Sequence, residues 1–216
     1  MKRWYLHAME QPEGVDGQLK ADRSVHPQGH FVAAGQTLRA SHGGSALFCK
    51  TLLPRNATIR VLGGKGHQFE VAGENYDMYD TWWQKVGTPA YQEEIGIGGW
   101  RVEVEPPAPQ PEDIFLHVLW AADDTAQTMC PVETIEEASQ AGARFAVNGV
   151  EVKVTFATTG DVGGHITLLQ NGKSIDDRPL ANGVEDSYQK WSSDPRFQAR
   201  MTNPYMRAGI GDTRSR

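Results

Sequence analysis

With 216 residues, 39% of them hydrophobic, the chain can bury one sizeable core and is too apolar for wholesale disorder. Its formal net charge is −6 and its isoelectric point is near 5.6, so no basic field recruits nucleic acid or an anionic membrane. No stretch reaches the roughly 18 apolar residues of a membrane-spanning helix. The two cysteines, Cys49 and Cys130, allow one disulfide at most and leave the redox compartment undecided.

The opening run Met1 to His7 enters a strand-like segment directly and lacks the apolar core of a signal peptide. The polypeptide is therefore expected to stay where it is made, or to derive from a longer protein. Period-two alternation broken by turn residues then dominates, which is the pattern of half-buried antiparallel strands. Strands are expected over Trp4–Met9, Gly35–Ala40, Ser45–Leu53, Thr58–Leu62 and His67–Val71. Between the last two, Gly63-Gly64-Lys65-Gly66 lacks the spacing and the following Ser or Thr of a phosphate loop, and reads as a tight hairpin turn.

Ala72 to Gly99 interrupts this rhythm with Tyr76, Tyr79, Trp82, Trp83 and Tyr91. So long a loop in a compact domain tends to be functional or disordered, and this one is too aromatic for disorder. In Trp100–Glu105, Trp100, Val102 and Val104 alternate with Arg101, Glu103 and Glu105, giving one dry face and one wet face. The prolines at 106, 107, 109 and 111 stop that strand, because proline cannot donate to a ladder. Asp113 to Ala121 is apolar on nearly every residue and suits a central strand covered on both sides. Asn148-Gly149 joins Ala143–Val147 to Val150–Phe156, and Asn171-Gly172 joins His165–Gln170 to Lys173–Pro179. Asn-Gly tolerates the positive φ angles of a two-residue hairpin. The sum is an all-β antiparallel sandwich of about ten strands over residues 1–183. The polar tail 184–216 is expected to be partly extended or a short helix.

Several phrases then fall in a telling order. They are Lys2-Arg3-Trp4-Tyr5-Leu6-His7, Thr51-Leu52-Leu53-Pro54-Arg55-Asn56-Ala57, Val61-Leu62-Gly63-Gly64-Lys65-Gly66-His67-Gln68-Phe69, Gly73-Glu74-Asn75-Tyr76, Trp100-Arg101-Val102-Glu103-Val104-Glu105-Pro106 and Asp113-Ile114-Phe115-Leu116-His117-Val118-Leu119. Together they resemble the C-terminal β-sheet region of heparinase II/III-type polysaccharide lyases, across roughly residues 2–180. In that family a helical toroid precedes the sheets, and uronic-acid polysaccharides are cleaved by β-elimination with a tyrosine or histidine set between the two. No helical domain is expected within these 216 residues. The resemblance implies the sheet fold, a carbohydrate context, and a periplasmic or secreted setting. It implies an acidic polysaccharide as ligand, with a helical lyase domain or a second copy as protein partner; neither nucleic acid nor membrane is expected. The family often holds a structural zinc in its sheets. No complete ligand set for it is found in this chain, so no metal and no cofactor is expected.

The residue chemistry agrees in kind. Elimination needs a base near the sugar C5 proton and a group that neutralises the uronate carboxylate. Asn75, Tyr76, Tyr79 and Arg101 are of those types, and no single catalytic residue stands out. Sugars stack apolar C–H faces on aromatic rings, so substrate binding is assigned to Asn75, Tyr76, Tyr79, Trp82, Trp83, Tyr91 and Arg101. The same Trp82-Trp83 pair equally suits a plug at one end of the sandwich or a docking patch for the toroid. His26 and His30 flank Pro27-Gln28-Gly29 and cannot share a helical face; a site built from them with His42 or His7 finds no acidic residue at diagnostic spacing. No serine sits in a Gly-x-Ser-x-Gly elbow, and Cys49 lies within an alternating strand as a core residue does. The reading is a non-catalytic module that binds uronic-acid-containing polysaccharide; the alternative is a small polysaccharide lyase.

Overall fold

The structure, a computed structural model, describes residues 2–24, 28–75 and 99–180. Among them it is all-β, an antiparallel sandwich with sixteen strands. They are β1 (Trp4–Ala8), β2 (Glu13–Gly14), β3 (Leu19–Ala21), β4 (His30–Ala33), β5 (Thr37–His42), β6 (Ser45–Leu53), β7 (Thr58–Gly63), β8 (Glu70–Val71) and β9 (Glu74–Asn75). The later strands are β10 (Trp100–Glu105), β11 (Leu116–Asp123), β12 (Val132–Glu137), β13 (Gln140–Val147), β14 (Val150–Ala157), β15 (Gly164–Gln170) and β16 (Lys173–Pro179). The excess over about ten comes largely from short strands such as β2, β3, β8 and β9, too brief for alternation to show. The expected C-terminal tail lies outside the described residues.

One sheet has the order β1-β10-β7-β4-β3, a second β11-β6-β5-β2, and a third is the meander β12-β13-β14-β15-β16. The register of the first sheet aligns its apolar residues in rows. Leu6, Val102, Val61 and Phe31 face one another across four strands, and Trp4, Val104 and Ile59 form the next row. Leu38 reaches this layer from the second sheet and closes the core. Ile59, Val61, Val102 and Val104 are completely enclosed. Each such side chain contributes about 1.5–3 kcal/mol, and β-branched residues suit a pleated, packed face.

Four expectations need correction. The outer face of β10 is not wet: Glu103 and Glu105 are 4% and 7% exposed, with Arg101 of the same strand and Arg3 just ahead of β1 paired to them. The apolar run after Asp113 begins its strand at Leu116 and forms an edge rather than the centre of its sheet, with Leu119 half exposed. An unbroken apolar run does not tell which side it covers. His67–Val71 is mostly turn, and only Glu70 and Val71 pair, with β9. The glycine-rich segment after β7 is a turn but not a hairpin, since β7 pairs with β10 and β4. Gly63 has φ 150° there, and a Cβ would lie 2.3 Å from the Gly99 carbonyl oxygen.

Both Asn-Gly hairpins form as expected, with φ of 52° and 76° at Asn148-Gly149 and 52° and 74° at Asn171-Gly172. Another two-residue hairpin joins β8 to β9 through Ala72-Gly73, at φ 53° and 85°. Alanine is penalised in this left-handed region by about 1 kcal/mol. Ala72→Asn should therefore raise unfolding stability by about 0.5–1 kcal/mol in a denaturant titration, because asparagine tolerates that conformation.

The two facing sheets are also joined by Trp4 of β1, stacked on His117 of β11 with ring centroids 3.8 Å apart. His117 Nδ1 meets Thr51 Oγ1 at 3.2 Å, while its Nε2 is buried with no hydrogen-bond partner. Burial lowers the imidazole from its ordinary 6.5 to about 4. A base lowered in the folded state is protonated first in the unfolded chain, so it withdraws stability as pH falls from about 6.5 to about 4. His117→Phe keeps the stack and removes the titration. Its stability should decline less over that window than the parent's, measured by denaturant unfolding at several pH values.

Candidate functional site

The outer face of the first sheet carries the most concentrated chemistry among the described residues. Side chains alternate along a strand, so those between the core valines point outward. On β1 these are Tyr5 and His7, preceded by Arg3; on β10 they are Arg101, Glu103 and Glu105; on β7 they are Arg60 and Leu62. The register sets Tyr5, Glu103 and Arg60 in one row and His7, Arg101 and Leu62 in the next. The turn residues Val71, Ala72 and Gly73 form one wall of the resulting open groove of about 550 Å³.

Its charges form an alternating chain. Arg101 Nη2 lies 2.7 Å from Glu103 Oε1, and Arg3 Nη1 lies 3.7 Å from Glu103 Oε2. Arg3 Nε also forms an ion pair with Glu105 Oε1, and Arg60 Nε lies 3.5 Å from Glu105 Oε2. Arg60 Nη1 ends the chain on Asp22 Oδ2. Hydrogen bonds from the Ser24 hydroxyl and backbone N–H, with Arg60 beside it, hold the Asp22 carboxyl below its usual range.

At one end of the groove a carboxylate meets two imidazoles. Glu70 Oε2 lies 2.9 Å from His30 Nε2 and 2.6 Å from His67 Nδ1, and the two rings are perpendicular. Burial opposes ionisation of Glu70, but hydrogen bonds from His67 and His30 outweigh it and hold the carboxyl below its ordinary value. The cluster has three supports. Arg101 Nη2 donates to the Glu70 carbonyl at 2.7 Å. The Phe69 N–H donates to Asn75 Oδ1 at 3.0 Å. The His67 ring lies against Gly29, where a Cβ would come within 2.6 Å of two ring atoms.

Two of the expected substrate-binding residues can be placed. Arg101 lines the groove, with its guanidinium bound to Glu103 and Glu70 and 5.9 Å from the Tyr5 ring centroid. Asn75 ends β9 and fastens the turn, so its side-chain oxygen serves the backbone. Tyr76, Tyr79, Trp82, Trp83 and Tyr91 lie outside the described residues, and so does His26. The histidines regroup relative to expectation: His30 meets His67 and Glu70, while His42 faces Glu10 on an exposed surface at 3.4 Å. His30, His67 and Glu70 are the residues that could hold a metal. Sequence reasoning also passed over Arg3, Tyr5 and Arg60. The signal for them was the outward set Arg3, Tyr5 and His7, which alternates with Trp4 and Leu6.

No protein-family model matches this chain, and no curated protein sequence does.

Glu103 depends on Arg101 and Arg3 for its charge compensation. Breaking a buried pair leaves an uncompensated carboxylate and costs about 3 kcal/mol or more. Arg101→Ala should lose about that much in a denaturant titration, whereas the double substitution Arg101→Ala with Glu103→Gln should recover part of it.

Proposed function

We propose that this chain is a polysaccharide-lyase-associated β-sandwich that binds a uronic-acid-containing polysaccharide along the outer groove of its first sheet, without cleaving it alone. The observation that carries this reading is the Tyr5 ring, 47% exposed beside Arg3, Arg60 and Arg101 in an open groove. A pyranose presents an apolar C–H face to such a ring, and its carboxylate accepts from guanidinium N–H groups. Arginine carries five donors, more than its ion pairs here consume, so it can hold a glutamate and a ligand together. Gly73 lines the groove, and the aromatic segment with Trp82 and Trp83 follows shortly after it in the sequence. In this reading that segment extends the sugar-binding surface. The protein partner is a helical lyase domain or a second copy of the chain.

Isothermal titration with a panel of uronate polymers and a neutral polymer tests this. The chain should bind a uronate polymer in preference to the neutral one. Tyr5→Ala should weaken binding about tenfold, since stacking on one ring is worth about 1–3 kcal/mol, with an unchanged strand spectrum. Failure to bind any uronate polymer overturns the proposal. A rise in the ultraviolet absorbance of unsaturated uronate, with the purified chain alone, replaces it with the small-lyase reading.

A further inference from the structure

A second cavity lies between the first two sheets, on the inner side of β1. Side chains two residues apart on a strand share a face. Leu38 reaches the core, so Ala40 and His42 follow it inward along β5; Leu6 packs on the same core, and Ala8 follows it along β1. Facing sheets stand about 10 Å apart, a gap that large side chains fill and alanines do not. In the second sheet Ala40 pairs in register with Leu47, and Leu47 with Ala121. The space left over is a cavity of about 320 Å³, with Ala8, Ala40 and Leu47 as walls and the buried Leu38, Cys49 and Val102 at its deep end. Burial pushes the Cys49 thiol up to about 12, so it stays protonated and presents a small apolar surface. Trp4 stacked on His117 already joins the sheets, so the space exists before any ligand enters.

The mouth, by contrast, is polar. His42 Nδ1 lies 3.4 Å from Glu10 Oε1, both side chains are more than half exposed, and Ser45 pairs with His42. No lysine or arginine is among the described residues that line the cavity. A carboxylate head would meet Glu10 with no guanidinium or ammonium to offset it, and an ammonium head would have to displace His42. A hydroxyl head donates to Glu10 and accepts from the Ser45 hydroxyl without bringing a charge. An apolar cavity of about 150 Å³ stays dry and takes up benzene, a ring of six carbons. This one has about twice that space, enough for a chain of about eight to ten carbons. We propose that the cavity binds one linear alkyl or acyl chain of that length carrying an uncharged, hydroxyl-bearing head. The tail lies between the sheets and the head stays at Glu10 and His42. The site is independent of the outer groove and of the glycan reading.

The test uses the full chain and calorimetric titration with straight-chain alcohols from butanol to dodecanol. One equivalent should saturate the site. Affinity should rise about fourfold per methylene, the equivalent of about 0.8 kcal/mol, and level off at about eight to ten carbons, when the cavity is full. Octanoate and octylamine should each bind more weakly than octanol. Ala40→Leu and Ala8→Leu each put a larger side chain into the space. Either variant, once shown to be folded by its strand spectrum and cooperative melting, should bind octanol at least tenfold more weakly. Ile175→Ser, at an exposed position of the third sheet, should bind like the parent. The chain-length series needs no variant: absence of saturable octanol binding, or an affinity indifferent to chain length, overturns the proposal. So does octanol binding unchanged in the folded cavity variants, or an ionic homologue that binds as tightly as octanol.

Discussion

Glu103 and Glu105 lie on the outer side of a sheet and are nearly as dry as Val102 and Val104 on its inner side. Removing a carboxylate from water costs several kcal/mol unless a counter-charge and hydrogen bonds replace the lost hydration. The replacement comes from Arg3 ahead of β1, Arg60 on β7 and Arg101 within β10. One polar layer therefore ties together the three strands that also supply most of the core. The same guanidinium of Arg101 reaches back to the Glu70 carbonyl. The turn bearing Glu70 is thus held by the charge layer, and the histidine cluster by the turn.

Core and site share backbone. Phe31 points into the core while His30 beside it points to Glu70, and Val102 lies between Arg101 and Glu103. Alternation makes this unavoidable, since consecutive side chains leave a strand on opposite faces. The consequence is rigidity: the groove's charged residues are set by strands whose other face is packed with valine and isoleucine, so the positions of their Cα atoms cost no additional ordering when a ligand arrives.

How far the sequence was legible follows from the range of each interaction. Trp100, Val102 and Val104 announce an inner face because the period is local, and the Asn-Gly hairpins are visible because the turn requires only its own two residues. Ala72-Gly73 adopts the same positive φ angles without asparagine to mark it. The burial of Glu103 escapes local reading, because alternation marks Arg101 and Glu103 alike as outward and polar, and Arg3, which helps to cover Glu103, is about a hundred residues away in the chain. The convergence of His30 with Glu70 spans forty residues and two strands, and no spacing rule reaches that far. The edge position of β11 was hidden for the opposite reason: its apolar run advertises burial on both faces, yet its outward Leu119 stays half exposed.

The two faces of β10 also have a consequence for how the chain finds its pairing. Sliding β10 by one residue against β1 and β7 would carry Glu103 and Glu105 into the apolar layer and push Val102 and Val104 out. The side-chain period of two allows no intermediate outcome. A strand with one apolar and one indifferent face would resist such a slip with its core alone. Here both faces object, the inner through unpaired buried carboxylates and the outer through arginines left facing valine. Misaligned pairings are therefore poor competitors early in folding, when strands distant in sequence must first meet.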